Sequence, residues 1–390
     1  MNPPAKLVLL GATGSIGDST LKVLRKHKES IHLVGIACNS NYRKLIKIAC
    51  EFEVQNLVVF DEKACEKAES APDLPQGINL LSGMTGLIHL STLSVVTHTL
   101  FAMVGVMGLR PALASIRQGQ TLILANKEIL VMAGELITRE AQENEATLIP
   151  ADSEHNAIHQ CLQKCSRDEI ARVLLTASGG QFRNASKEEM DQVTPEEALC
   201  HPNWDMGPKV TIDSSTMANK GLEIIEAHWL FGINSGQINV VIHPQSIVHS
   251  MVEYVDGSII AQLSPPDMTF AIQNALFHPV REERVLEALD FTQTLQLDFH
   301  PPDEERFPCL RLAREALETG GSAPAAFNAA NEIAVQAFID RKISFTQIPK
   351  TIEKTLGEMP TRRMDSLEEI LATDDFARNL ANSFIANIKC

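Results

Sequence analysis

The stretch Leu7-Val8-Leu9-Leu10-Gly11-Ala12-Thr13-Gly14-Ser15-Ile16-Gly17 decides the fold. Its four consecutive apolar residues read as a strand buried on both faces, as strands of parallel sheets are. Glycines at 11, 14 and 17 follow at once, and a helical pattern runs from Thr20 to Lys26. Glycine here allows a tight turn and a close backbone approach to a pyrophosphate. The N–H groups and positive dipole end of the following helix can then hold that anion. In this strand–turn–helix setting the pattern predicts a dinucleotide-binding unit.

The alternation continues outward from that turn. Strand-like runs at His32–Ala37, Asn56–Phe60, His98–Val104, Thr121–Ala125 and Thr147–Ala151 are mostly separated by helical stretches. This is the pattern of an α/β, Rossmann-type parallel sheet with helices on both faces, whose ligands bind beyond the carboxyl ends of the strands. The second strand bears on which dinucleotide is bound. It ends Ala37-Cys38-Asn39-Ser40-Asn41-Tyr42-Arg43-Lys44, with no acid to hold a ribose 2′-hydroxyl. Asn39, Ser40 and Asn41 are small polar donors and two cations follow, which suits a 2′-phosphate, so NADP is expected over NAD.

The nucleotide domain is expected over residues 1–151 and an α+β central catalytic domain over 152–286. The latter carries an amphipathic helix near Asn219–Phe231 and two strand runs joined at Asp256-Gly257, a hairpin signal. Residues 287–308, with prolines at 301, 302 and 308, read as a linker, and 309–390 as a C-terminal α-helical bundle. Helices are expected there at Leu310–Glu318, Ala323–Asp340, Ile348–Leu356 and Asp375–Ile388.

Composition bounds the function. A chain of 390 residues is too long for one hydrophobic core, and 44% apolar with 21% charged residues is ordinary for a globular protein. A net charge of −15 argues against nucleic-acid or anionic-membrane partners, yet leaves room for a small anion in a locally positive pocket. There is no apolar run of about 18 residues. The opening MNPPAKLVLLGATG carries no basic n-region or small-residue cleavage site, so no export signal is read. The eight cysteines form no C-x-x-C pair, and Cys161 and Cys165 are expected to share a helix face as buried thiols. A cytoplasmic location with reduced thiols follows.

The chemistry-bearing residues cluster in a few segments. Asp152-Ser153-Glu154-His155-Asn156 follows a strand. On extended chain Asp152 and Glu154 would point to one side, roughly 6.5–7 Å apart, and could grip one divalent cation with hard oxygens. The same residues are also how a helix begins, and both readings stay open. In the segment Asp213–Glu223, helical geometry would put Asn219, Lys220 and Glu223 on one arc below a hydroxyl-rich start that includes Ser214. An amide, an ammonium and hydroxyls suit a phosphate monoester. Glu223 would be a poor neighbour for that phosphate unless a cation sits between them, which makes it a third metal-ligand candidate. A solvated helix face is the plain alternative.

Ala177-Ser178-Gly179-Gly180 after a strand can form an anion nest. His201-Pro202-Asn203-Trp204-Asp205-Met206-Gly207 holds one of two tryptophans, either anchored in a core or riding on a water-excluding lid. Asn126 is placed to cap a helix, with Lys127 at the ligand edge of the sheet. His243 and His249 are read as structural.

The motifs GATGSIG, LANKE, ADSEHNAI, LLTASGG, HPNWDMG, DSSTMANKGLE and IHPQSIVHSMVEY occur in that order. Together they identify the chain as resembling the 1-deoxy-D-xylulose 5-phosphate reductoisomerase family over essentially its whole length. The resemblance implies NADPH contacts from Thr13, Gly14, Ser15, Ile16, Asn126, Glu128 and Gly207. It implies magnesium or manganese bound by Asp152, Glu154 and Glu223. Substrate phosphate would be held by Ser178, Ser214, Asn219 and Lys220, with Lys127, Ser153 and His201 touching the substrate elsewhere and Trp204 and Met206 on a closing loop. Lys127, Asp152, Glu154, His201 and Glu223 form the implied catalytic set. A homodimer supplying 2-C-methyl-D-erythritol 4-phosphate to isoprenoid synthesis is implied as well. The chain departs from the family where many members carry a Gly-Lys-Asn-like stretch and it has Asn39-Ser40-Asn41. It also has Ile129 in place of a common serine, and Pro208 where a basic residue is frequent.

Two rivals stand on the residues themselves. A metal-free dehydrogenase of the semialdehyde or homoserine kind needs only the glycine turn. A dinucleotide-sensing regulator would use the helical tail for protein contacts.

Overall fold

The computed structural model describes residues 4–163, 165–200, 204 and 206–388. The chain divides into two compact units. The first comprises Met1–Ile129, Ile137–Asn156 and Met268–Glu287, and the second Leu130–Leu136, Ala157–Asp267 and Ala288–Cys390.

In the first unit strands and helices alternate in the order β1 (Ala5–Leu10), α1 (Ser15–Lys26), β2 (Ile31–Cys38), α2 (Tyr42–Phe52), β3 (Asn56–Val59), α3 (Glu62–Glu69) and β4 (Asn79–Ser82). They continue with α4 (Gly83–Ser91), β5 (His98–Phe101), α5 (Leu109–Ile116), β6 (Thr121–Leu124), α6 (Lys127–Glu143) and β7 (Thr147–Pro150). All pairings are parallel, in the order β4-β3-β2-β1-β5-β6-β7. Leu7–Leu10 are fully buried because helices cover both faces. The order reverses between β1 and β5, and ligands of such sheets bind in the crevice at that switch point. The expected strands are present, β1 and β2 extended by two residues each and the other four trimmed at their carboxyl ends. Residues 102–104 fall outside β5, where Gly105 turns the chain at φ 75°. The edge strand β4 was not anticipated, since four residues with no buried side chain give no apolar run.

The helix α7 (Ser153–Cys161) starts two residues past β7, so residues 152–154 form a strand-to-helix junction rather than extended chain. The second unit then adds β8 (Ile170–Ala177), the short helices α8 (Lys187–Asp191) and α9 (Pro195–Ala198), α10 (Pro208–Ser215) and α11 (Ala218–Phe231). Three strands follow: β9 (Ile238–Ile242), β10 (Val248–Tyr254) and β11 (Ile259–Leu263). The sheet order is β11-β10-β8-β9, antiparallel except for β8 with β9. The hairpin at Asp256-Gly257 is as expected: Tyr254 N–H donates to the Ser258 carbonyl at 2.9 Å, and Gly257 takes a positive φ of 83°.

Helix α12 (Met268–Phe277) belongs to the first unit, burying Ile272, Ala275 and Leu276 in the nucleotide-sheet core. A long irregular stretch follows, tied down by the pair His300 and Ile242. The chain ends in α13 (Cys309–Thr319), α14 (Ala323–Ile339), α15 (Gln347–Glu358) and α16 (Leu367–Ala386). Helix α16 begins eight residues ahead of the expected Asp375, at a capping box in which Ser366 and Glu369 satisfy each other's backbone N–H. Cys161 ends α7, so Cys165 lies beyond the helix and does not share its face. The Cys161 carbonyl instead accepts from the Tyr254 hydroxyl at 2.7 Å, and burial pushes the Cys161 thiol up to about 11. Among the described residues no helix is long and apolar enough to cross a membrane.

Candidate functional site

The glycine turn of the first unit is built around contacts that no side chain could share. A Cβ on Gly11 would lie 2.4 Å from the Ala102 carbonyl oxygen beyond β5, so glycine lets the turn sit on the switch point itself. A Cβ on Gly17 would lie 2.3 Å from the Ala12 carbonyl oxygen. Gly14 and Ser15 are exposed, and α1 begins at Gly14 without a side-chain cap. Its first turn therefore presents backbone N–H groups outward, beside Thr13 and Ile16. That is the cradle a pyrophosphate requires.

The loop after β2 is packed against this turn. The Lys44 ammonium donates to the Thr13 carbonyl at 3.1 Å and pairs with Asp18 at 2.7 Å. Asn41 caps α2, its side chain accepting from Lys44 N–H at 3.3 Å. Asn39 and Ser40 stay exposed.

The carboxylates stand at the other end of the same strand edge. Asp152 and Ser153 are buried, and the Asp152 carbonyl accepts the Asn156 N–H at 2.8 Å, the first bond of α7. Carboxylate oxygens of Asp152 and Glu154 lie within 4.8 Å of each other. The helix-start reading is therefore correct, and it does not separate the acids. Ser153 Oγ donates to Glu154 at 2.6 Å. The Lys127 ammonium pairs with Asp152, and fully buried His155 places Nδ1 3.6 Å from the same carboxylate. Asn126 caps α6 by accepting Ile129 N–H at 3.0 Å and holds the Met103 and Gly105 carbonyls through its amide. It thereby joins the loops after β5 and β6, with Glu128 buried in the first turn of α6. Two or more hard oxygens at such spacing fit an octahedral divalent cation whose bonds run to about 2.1 Å.

In the second unit α10 and α11 meet at Met217, which takes a left-handed φ of 62°. Helix α11 matches the helix expected near Asn219–Phe231, and the hydroxyl-rich segment before it ends a separate helix, α10. Ser214 closes α10, while Asn219 and Lys220 open α11, which has no side-chain cap. Asn219 donates to Glu223 at 2.7 Å and Lys220 to the other oxygen at 2.5 Å, with Lys220 and Glu223 buried. The plain reading of a solvated helix face fails for these two side chains. Gly179 and Gly180 both take positive φ, and Gly180 N–H donates to Ser178 Oγ at 3.2 Å. A Cβ on Gly180 would come within 2.9 Å of the Ser214 carbonyl oxygen, so the glycine loop lies directly on the end of α10. Sequence reasoning missed Asp213. Its buried carboxylate accepts from Asn331 of α14 at 2.9 Å and from Lys209 at 2.9 Å, which clamps α10 to the helical tail. No spacing rule links residues 118 positions apart.

His201 lies outside the described residues. Trp204 contacts the His249 ring with centroids 6.2 Å apart, Met206 is half-buried, and Gly207 caps α10 as an exposed residue. His243 is structural as expected: its Nδ1 meets the Asp298 carbonyl at 2.9 Å and its Nε2 accepts two backbone N–H groups.

Fold and site together define an oxidoreductase built on a dinucleotide-binding sheet. A family model described as 1-deoxy-D-xylulose 5-phosphate reductoisomerase matches residues 7–134, and models of the C-terminal domains of that enzyme match 148–231 and 263–380. With 46% identity over 373 residues to such an enzyme of Clostridium botulinum, covering 95% of this chain and 97% of the relative, the chain belongs to the 1-deoxy-D-xylulose 5-phosphate reductoisomerase family. A relative from Nitrosomonas eutropha is 44% identical over 99% of this chain and 95% of its own length. The Zymomonas mobilis enzyme solved with NADPH superposes with a TM-score of 0.93 at 43% identity, covering 99% of this chain and all of its own. A reductoisomerase solved with NADPH, fosmidomycin and magnesium superposes with a TM-score of 0.93 at 41% identity, covering 98% of each chain. The chain is an enzyme that converts 1-deoxy-D-xylulose 5-phosphate to 2-C-methyl-D-erythritol 4-phosphate in the non-mevalonate isoprenoid route.

Proposed function

We propose that the chain performs this conversion with NADPH at the glycine turn and with magnesium or manganese held by Asp152, Glu154 and Glu223. The observation that carries the proposal is the Asp152–Glu154 oxygen pair beside Lys127, at the same strand edge as the uncapped turn after β1. When bound, the cation supplies Lewis acidity at the substrate's ketone and adjacent hydroxyl oxygens, and NADPH supplies the hydride.

The chain's own groups bind and orient. Thr13, Gly14, Ser15 and Ile16 offer the turn and first helical N–H groups to the pyrophosphate, Asn39, Ser40 and Asn41 lie toward the ribose, and Asn126, Glu128 and Gly207 contact the rest of the cofactor. Ser178, Ser214, Asn219 and Lys220 hold the substrate phosphate at an uncapped helix start, where charge and dipole add. Lys127, Ser153 and His201 touch the reacting end. Trp204 and Met206 ride on the segment that excludes water. We assign nucleotide binding to residues 1–151, metal and substrate to 152–286, the linker to 287–308 and the helical tail to 309–390. The enzyme acts in the cytoplasm as a homodimer, and the dimer is supported by the apolar exposed edge strand β11, where Ile259 is 52% and Ile260 48% accessible.

The test is NADPH oxidation with 1-deoxy-D-xylulose 5-phosphate after exhaustive chelation and then with manganese or magnesium restored. Activity is expected only with metal. Turnover that survives chelation would remove the cation from the reaction.

A further inference from the structure

Sequence reading leaves two cations, Arg43 and Lys44, beside the ribose end of the nucleotide site, and the structure separates them. Lys44 points back into the glycine turn, where Thr13 and Asp18 hold its ammonium. Asn41 is engaged as the cap of α2. The donors left at this corner are exposed Asn39 and Ser40, and neither carries charge.

Charge reaches the corner from the neighbouring helix. Asp61 N–H donates to the Asn39 carbonyl at 2.9 Å, and the Asp61 side chain caps α3 by accepting Ala64 N–H at 2.7 Å. The first turn of α3, with Lys63, is thereby fastened to the loop after β2. Arg43 and Lys63 line one groove of about 880 Å³ between α2 and α3, together with Tyr42, Lys47 and Lys67. The acids in that groove are Glu66 and Asp73, so it holds four cations against two anions in a chain whose net charge is −15. Arg43 also lies over the Tyr42 ring, 5.9 Å from its centroid, which limits the guanidinium's freedom. A phosphate monoester on a ribose is the chemistry that an arginine fork and an adjacent ammonium recognise.

We infer that Arg43 and Lys63, not Lys44, discriminate for the 2′-phosphate of the dinucleotide, an inference that rests on the NADPH reading above. The two cations supply the charge that Asn39, Ser40 and Asn41 do not.

Titration calorimetry with 2′,5′-ADP and with 5′-ADP tests this without turnover. The wild-type chain should bind 2′,5′-ADP the tighter of the two. Arg43→Ala and Lys63→Ala should each lower that preference, by roughly tenfold for one lost charge-assisted hydrogen bond, with 5′-ADP affinity unchanged. Arg43→Lys should restore only part of the loss, because an ammonium keeps the charge and not the planar fork. Both side chains are exposed, so unchanged melting temperatures confirm that the variants are folded. If the wild type prefers 2′,5′-ADP and the double variant keeps that preference within about twofold, which is only about 0.4 kcal/mol, the inference is wrong and the NADPH reading stands. If the wild type shows no preference, the NADPH reading itself fails and takes the inference with it.

Discussion

The Lys220 ammonium donates to the Glu223 carboxylate at 2.5 Å, three residues along α11, and both side chains are buried. A buried lysine is retained only when it is paired, and this one also sits in the first turn of a helix without a side-chain cap. Lys220→Ala removes the one full charge assigned to the substrate phosphate. The expected result is a rise in KM for 1-deoxy-D-xylulose 5-phosphate of roughly 10- to 150-fold, the equivalent of about 1.5–3 kcal/mol. A KM that does not move would take Lys220 out of the phosphate site.

Asp152→Asn and Glu223→Gln keep the size and much of the hydrogen bonding of each side chain while deleting a hard anionic ligand. Turnover should vanish in both while NADPH affinity stays near wild type, and Glu223→Gln should also lower the melting temperature, because buried Lys220 loses its counter-charge. Near-normal activity in both variants would be fatal to the three-carboxylate assignment.

At Gly180 the backbone sits at φ 66°, and a Cβ would meet the Ser214 carbonyl oxygen at 2.9 Å. Gly180→Ala must either strain the loop, by about 1–2 kcal/mol, or lift it from α10. Either way Ser178 and Ser214 lose register, so substrate KM should rise while NADPH KM stays constant. If instead both constants are unchanged, the close approach has no bearing on the substrate site.

Much of this was legible because local rules and tertiary demands agree. Leu7–Leu10 followed by Gly11 could be little other than a buried strand feeding a tight turn, and the capping pattern at Asn126 needs only residues within one helical turn. What was hidden depends on distant partners. Strand β4 carries too little apolar sequence to announce itself, because it lies at a sheet edge. Helix α12 reads like any apolar helix, and nothing local says that its Ile272 and Leu276 enter the core of the first unit. Helix α11 was legible, while α10 and the left-handed Met217 that separates the two have no local sequence signature. The Asp213–Asn331 clamp is invisible for the same reason as any single long-range hydrogen bond. Asn39–Asn41 was read as a recognition loop, yet the structure gives Asn41 a capping duty and directs Lys44 elsewhere.

Burial holds the His98 imidazole below its ordinary value of 6.5 at the start of β5. Below about pH 6.5 the unfolded chain binds a proton that the folded chain refuses, so the contribution is complete above about pH 6.5 and is lost as pH drops from there to the lowered folded value. His278 in the same unit is shifted in the same direction by burial. Urea denaturation between about pH 7.5 and about pH 5.5 should show a declining midpoint, with a shallower decline in His98→Gln. Identical slopes for the two proteins would assign the acid sensitivity to other groups.

Among the described residues strand β11 pairs only with β10, and it exposes Ile259 and Ile260 on consecutive, opposite-facing positions. Val255, just before the hairpin turn, is 67% accessible as well. An unprotected edge with apolar side chains is a template for another strand, and proteins that stay soluble either charge such an edge or cover it. No lysine or arginine lies in Ile259–Leu263. A second copy of the chain is the cover that a homodimer would provide, so Ile259→Lys with Ile260→Lys should shift the sedimentation coefficient from dimer to monomer. Because neither side chain is buried within the subunit, the monomer should keep its helical and strand content. If the wild type sediments as a dimer and the double variant sediments with it, the two copies meet through another surface.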